Sequence, residues 1–301
     1  SYAYQRNSTT VEQKRLAISE CDGFCEHSLT LSGLCSEICG SKVIEMENGK
    51  PIFRNPELCC SCGHCAAICP KEALQSEGHN TNDFEIIQLD SASSEIEKLL
   101  TTKRSVREFK DTPLEKETIE RLIAYAEKAP SSTNNRHRKY IVVTNTEIKN
   151  KIEKCVVDEF WKYRFWLNPL VLGLADIFSK KTAHFLWLLK KDIEHMKNEY
   201  EKKQNPVFRD APAVIFGIAP KDDIQAKDDS IIAQQYMMLF AQSIGIGSCV
   251  IGYATHVHKA LERVLKVPKG YSIFSTGIFG YQKYQYLKEI RYTKKPEFEI
   301  L

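Results

Sequence analysis

Nine of the eleven cysteines in this 301-residue chain lie between Cys21 and Cys69, and only Cys155 and Cys249 fall in the remainder. So many thiols in so short a segment either cross-link or bind metal. The tightest run, CCSCGHCAAICP, carries Cys59, Cys62, Cys65 and Cys69 in a C-x2-C-x2-C-x3-C pattern that ends on Pro70. Upstream, Cys21, Cys25, Cys35 and Cys39 are separated by three, nine and three residues, with Gly40 where the later run has its proline. Disulfide scaffolds belong to secreted chains, and the opening residues SYAYQRNSTTVEQKR contain no apolar signal segment. A cytoplasmic location is therefore expected, where thiols stay reduced and dense cysteines bind metal.

The pattern from Cys59 to Pro70 resembles that of bacterial ferredoxins, in which three closely spaced thiolates hold one iron-sulfur cube and the fourth reaches its neighbour. Between the two cysteine groups, KVIEMENGKPIF reads as two short strands around Asn48 and Gly49, a hairpin signal. The resemblance runs from about Ile18 to Ser76 and implies two 4Fe-4S clusters. Cys21, Cys25, Cys35 and Cys69 would hold one, and Cys59, Cys62 and Cys65 with Cys39 the other. Paired zinc sites also use C-x2-C, but zinc has no use for the x3 step and terminal proline. Cys60 has no slot in this scheme and reads as a packed apolar side chain.

The rest of the chain is ordinary in composition. Lys plus Arg total 42 against 39 Asp plus Glu, so no broad basic footprint points to nucleic acid or an anionic membrane. The longest apolar stretch, Trp166 to Phe178, is too short to span a bilayer and contains Asp176. After a polar stretch from Ser76 to Ser94, a helix begins with Ser94 as cap and Glu97 completing a capping box. A second helix is expected from Thr112 and Pro113 through Ile119, Leu122, Ile123 and Ala126. Strands follow at Tyr140–Val143, Pro212–Ala219 and Ser272–Phe279, with helices at Ser230–Ile244 and Val257–Leu265. The Ser230–Ile244 helix is apolar nearly all round and should lie in the core. The expected fold class is α+β: a small ferredoxin-like iron-sulfur domain over 1–80, a linker over 81–94, and a three-layer α-β-α domain over 95–301.

KRSVREF, KAPSSTNNRHRKYIVV, the apolar helix ending in GIGS, and FGYQKYQYLKEIR resemble, in order and spacing, the flavin-binding landmarks of the nitroreductase family. With the leading cysteine segment, the chain is similar to ferredoxin-fused nitroreductases. That resemblance implies FMN. Arg104, Ser105 and Arg107 would meet its phosphate, ribityl oxygens or the pyrimidine side of the ring, and Arg291 would supplement the phosphate. Pro130, Ser131, Ser132 and Asn134 match a loop that in relatives reaches FMN from the other subunit, which implies a homodimer with FMN at the interface. Arg136 and His137 stand where the family commonly has glutamine and proline, so the ring-edge contacts there would differ. Gly245, Gly247 and Ser248 have the small side chains needed where backbone nears a flat ring; a glycine helix stop is the plainer reading. A helical insertion over about 156–205, rich in aromatic residues, would form a lid, although an aromatic stripe is usually core.

The function so implied is an FMN-dependent oxidoreductase that passes electrons from the clusters to FMN and reduces a small aromatic acceptor such as a nitro compound or quinone. The flavin itself would carry the chemistry, with no catalytic side chain required. The electron donor would be NAD(P)H or a reduced redox protein. A G-x-G-x-x-G element is absent, which removes a dinucleotide-fold site but not direct NAD(P)H binding over the flavin. Two other readings use the same residues: a reductive dehalogenase-like or other flavin reductase, and a nonenzymatic iron-sulfur electron carrier or redox sensor.

Overall fold

A computed structural model describes residues 17–18, 33–59, 63–69, 74–75, 95–132, 136–290 and 295–301. They divide into two compact units, one spanning Lys103–Lys283 and the other taking in residues up to Thr102 together with Tyr284–Leu301. The expected linker over 81–94 lies outside the described residues.

In the smaller unit, β1 (Ala17–Ile18) is joined by α1 (Leu34–Ile38), β2 (Ile44–Glu47), β3 (Lys50–Phe53), α2 (His64–Ile68), β4 (Leu74–Gln75) and α3 (Glu95–Thr102). The hairpin β2–β3 turns at Asn48 and Gly49, with φ of 50° and 75°. Two successive left-handed residues match the twist of antiparallel strands, which is why an Asn-Gly pair is favoured there. The two short helices share one design. Each follows a left-handed glycine, Gly33 or Gly63, places a cysteine on its first turn, Cys35 or Cys65, and ends on an extended cysteine, Cys39 or Cys69. The segments GLCSEIC and GHCAAIC thus repeat as G-x-C-x-x-I-C, with Ile38 and Ile68 both buried. This helix repeat, rather than the spacing of the outer cysteines, relates the two halves.

The larger unit contains α4 (Lys116–Ala126), β5 (Lys139–Val143), α5 (Thr146–Lys162), α6 (Pro169–Phe178), α7 (Lys180–Glu201) and β6 (Ala213–Pro220). It continues with α8 (Ala226–Ser243), β7 (Ile246–Val250), α9 (Gly252–His256), α10 (His258–Val264) and β8 (Tyr271–Tyr281). Its sheet has the order β5-β6-β8-β7 and every pairing is antiparallel. Ala213 and Ile215 of β6 join a core with Leu122 and Ala126 of α4 and Ala233, Met237 and Met238 of α8. Val214, Phe216 and Ile218, on the opposite pleat, are equally buried. A strand covered on both faces has no polar side to alternate with, which explains its unbroken apolar run.

Several boundaries differ from expectation. The helix foreseen at Thr112 and Pro113 starts at Lys116, because Leu114 turns inward and is buried before the helix begins. A residue before proline also favours extended backbone. The single helix expected over Val257–Leu265 lies within a pair, α9 and α10, broken at Val257. Finally, Gly245 with φ of 77° does stop α8, and the residues after it form the edge strand β7, which is not among the expected strands.

The expected lid stretch is divided in its packing. Val156, Val157 and Phe160 of α5 are core residues, whereas Trp166, Leu170, Ile177 and Phe178 are largely exposed.

Candidate functional site

The segment Lys103–Lys110 forms a strap that bonds to the edge of β7 at Ser105 and Val106 and to the end of β8 at Lys110. Ser105 bridges to Ser248, Val106 N donates to Ser248 O at 3.0 Å, and Lys110 N donates to Tyr281 O at 2.8 Å. The strap thereby occupies backbone groups that an edge strand would otherwise leave open. Two glycines make room for it. A Cβ on Gly247 would lie 2.8 Å from Val106 Cγ1, and one on Gly280 would lie 2.8 Å from Phe109 Cδ1 and 2.5 Å from Pro212 Cδ. Gly247 and Gly280 face each other across the β7–β8 ladder. Gly247, read from the sequence as clearance for a flat ring, also seats the strap. Ser248 is fully buried; its carbonyl anchors Val106, and its hydroxyl has no hydrogen-bond partner.

Arg104, Ser105 and Arg107, expected from the sequence as flavin contacts, lie together on the strap with Lys103, and Arg209 from the loop before β6 is within electrostatic reach of Arg107. Lys103 Nζ donates to Arg104 O at 2.6 Å and Ser248 O at 3.3 Å. Arg104 Nη1 donates to Lys103 O at 2.9 Å, and Arg107 Nη1 to Ser105 O at 3.4 Å. Burial lowers Lys103 to about 8; Cys249 opposes the shift, and the charges of Arg104 and Arg107 add to it. Arg209, from the loop before β6, is likewise disfavoured as a cation by burial and then by Arg107. Gathering like charges in a partly desolvated place is unfavourable for the protein alone and favourable once an anion binds. This donor set suits a phosphate or another delocalised anion, and so fits FMN.

Glu153 of α5 fastens the loop that delivers Arg209. Its carboxylate, 1% exposed, accepts from Val207 N at 2.8 Å and Phe208 N at 2.9 Å. The following Arg209 and Asp210 adopt left-handed backbone, with φ of 56° and 52°, a conformation side chains adopt only when the surroundings impose it. Burial raises the Glu153 carboxyl from 4.5 to about 7, against the two amides and Arg209. A raised folded-state value means that this group's contribution to stability is complete below pH 4.5 and is lost as pH rises through about 7. Denaturation midpoints are expected to fall between pH 5 and pH 8, and Glu153→Gln should flatten that fall. An unchanged pH slope in the variant would show that another group is responsible.

The second nominated loop is held differently. Ser132 N donates to both carboxylate oxygens of Asp229, at 3.2 and 3.1 Å, and Ser131 Oγ accepts from Arg136 N at 3.1 Å. Arg138, buried, donates to Pro130 O at 3.1 Å, Ala129 O at 3.1 Å and Asp229 O at 3.2 Å. Arg136 is exposed, with a left-handed φ of 49°. Asn134 and Arg291 lie outside the described residues.

In the smaller unit, Cys35, Cys39, Cys59 and Cys65 pack around Val43, Ile44 and Leu58. Val43 N donates to Cys39 Sγ at 3.4 Å. Burial, then the charges of Cys39, Cys59 and Cys35, push the Cys65 thiol up to about 12. Soft thiolate donors that repel one another fit a bound iron-sulfur cation core. Among the described residues, no group of three or more His, Cys, Asp or Glu side chains is already set to hold a metal ion. Cys21, Cys25, Cys60 and Cys62 lie outside those residues, and Cys69 caps α2.

A serine, histidine and glutamate also meet elsewhere, at Ser272, His258 and Glu262. Ser272 Oγ lies 3.1 Å and Glu262 Oε1 2.9 Å from the same ring nitrogen, His258 Nδ1. A nucleophile and an orienting acid need opposite nitrogens of the ring, so this cluster is not a hydrolytic triad.

Among known proteins, the family model described as the Nitroreductase family matches residues 100–281. Over 176 residues the chain is 26% identical to a Bacillus subtilis protein named FMN reductase (NAD(P)H); the match covers 58% of this chain and 61% of that relative's length. A 68-residue stretch, 21% of this chain, is 37% identical to an uncharacterized ferredoxin of Methanocaldococcus jannaschii and covers 39% of it. A crystal structure of a nitroreductase with bound FMN from Bacteroides fragilis shares the fold, with a TM-score of 0.52 at 19% identity over 69% of this chain and 100% of that one.

Proposed function

Because the chain belongs to the nitroreductase family, we propose that it is an FMN-dependent oxidoreductase in which iron-sulfur clusters feed electrons to the flavin and a small nitroaromatic or quinone-like molecule accepts them. The observation that carries this reading is the strap, which places Lys103, Arg104 and Arg107 within electrostatic reach of one another, with Arg209 within reach of Arg107. When bound, FMN supplies the exchange between one-electron and two-electron transfer that such a reaction needs.

The roles of the chain's own residues follow from their placement. Arg104 and Ser105 would hold the phosphate and ribityl oxygens, and Arg107, supported by Lys103 and Arg209, the electron-rich side of the ring. The backbone of Gly247 and Ser248 keeps the strap at a fixed height, while Pro130, Ser131, Ser132, Asn134 and Arg136 complete the site from the partner of a homodimer. Arg291 would add to the phosphate end. In the smaller unit, Cys59, Cys62 and Cys65 with Cys39 would hold one 4Fe-4S cluster, and Cys21, Cys25, Cys35 with Cys69 the other. Cys39, Cys59 and Cys65 lie close together, with Cys35 beside them. NAD(P)H or a reduced redox protein would supply the electrons. No helix among the described residues is long and apolar enough to cross a membrane.

The test is cofactor stoichiometry on anaerobically purified protein, followed by reduction with NAD(P)H. About eight irons with matching sulfide and one FMN per chain are expected. Zinc without sulfide would overturn the electron-entry role, and failure to retain FMN after reconstitution would overturn the flavin reading.

A further inference from the structure

We propose that Arg138 and Asp229 are positioning residues that together set the Ala129–Ser132 loop in its flavin-binding conformation; the inference rests on the FMN reading above. Arg138 immediately precedes β5, yet its side chain is buried. Its guanidinium reaches Ala129 O and Pro130 O on the loop and Asp229 O in the first turn of α8, at 3.1, 3.1 and 3.2 Å. Its Nε lies 3.5 Å from Glu127 Oε1, and the same oxygen accepts from Tyr140 Oη at 2.6 Å. Asp229, itself buried, returns the contact through two hydrogen bonds from Ser132 N.

The connection is therefore closed. Loop carbonyls and a helix carbonyl share one guanidinium, and the carboxylate of the same helix residue takes a loop amide. An apolar side chain would fill this space at a lower desolvation cost. What arginine adds is a rigid planar fork whose donors aim in fixed directions, which lysine cannot reproduce. Those directions specify Ala129 and Pro130, and Asp229 specifies Ser132, so three of four consecutive loop residues are held by their backbone. The Ser131 and Ser132 side chains are left half-buried at the surface of that frame.

The experiment is an FMN titration, followed by flavin fluorescence, of deflavinated full-length protein and four variants, with a thermal melt of each. Arg138→Lys and Asp229→Ala are expected to raise the FMN dissociation constant by about tenfold or more, since each removes oriented hydrogen bonds to a charged group. Asp229→Asn keeps an acceptor for Ser132 N and is expected to stay within about threefold of the unaltered protein. Val157→Ala, in the core packing of α5, lowers the melting temperature and leaves the dissociation constant unchanged. Unaltered affinity in both Arg138→Lys and Asp229→Ala overturns this inference alone. So does a loss of affinity in Val157→Ala as large as theirs, because it would mean that affinity follows stability. If the unaltered protein does not bind FMN, the flavin reading falls, and this inference with it.

Discussion

Replacing Arg107 with glutamine is expected to weaken FMN binding by about 10- to 100-fold, the range for losing one or two charge-assisted hydrogen bonds. The same change is expected to leave the flavin-free protein as stable as before, or more so. Arg107 disfavours the charged forms of both Lys103 and Arg209, each already disfavoured by burial. Removing it relieves that repulsion, so Lys103 moves back up from about 8 toward its ordinary value. Affinity and stability thus change in opposite directions. A residue with only a packing role would lower both. Calorimetric titration of FMN, paired with melts of the flavin-free protein, separates the cases. Undiminished affinity would place the flavin elsewhere.

Adding a single methyl group at Gly247 is expected to have an effect of similar size by a different route. In Gly247→Ala the new Cβ meets Val106 at 2.8 to 3.0 Å, closer than such atoms tolerate, and Val106 is branched and buried. The strap must lift from β7 or the strand must shift, at a cost of about 1–3 kcal/mol. Lifting breaks the bond from Val106 N to Ser248 O and carries Arg104 and Arg107 with it. Val106→Ala removes the two Cγ contacts and leaves the Cβ at 2.9 Å, so it relieves part of the clash, and the double variant is expected to be more stable, and to bind FMN more tightly, than Gly247→Ala alone. Simple additivity of the two changes, measured by melting and FMN titration, would refute this account of the glycine.

Much of this was readable from one-dimensional pattern. The Asn48–Gly49 hairpin, the buried β6 and the long α8 each follow from local rules that need only neighbouring residues. Arg138 carries a signal in the sequence: it is in phase with Tyr140 and Val142, which pack against the core shared with α4 and α8. Glu153 gave a fainter signal, one carboxylate beside Ile152 on a helix face that turns inward. Arg209 gave none, because its burial depends on a loop fastened by a residue more than fifty positions earlier.

The amino-acid sequence by itself determined which chemistries are within reach. The cysteine spacing puts metal binding within reach, and KRSVREF supplies cations for an anionic cofactor. Identity and short-range spacing are enough for that, since ligand type and charge belong to the side chains themselves. Only the tertiary structure decided how the cations are held: a strap seated on two facing glycines, a loop clamped by Arg138 and Asp229, and a carboxylate that fastens the loop just before Arg209. Those contacts join residues distant in sequence. Their strength comes from burial, which exists only after the sheet and helices have excluded water from between them.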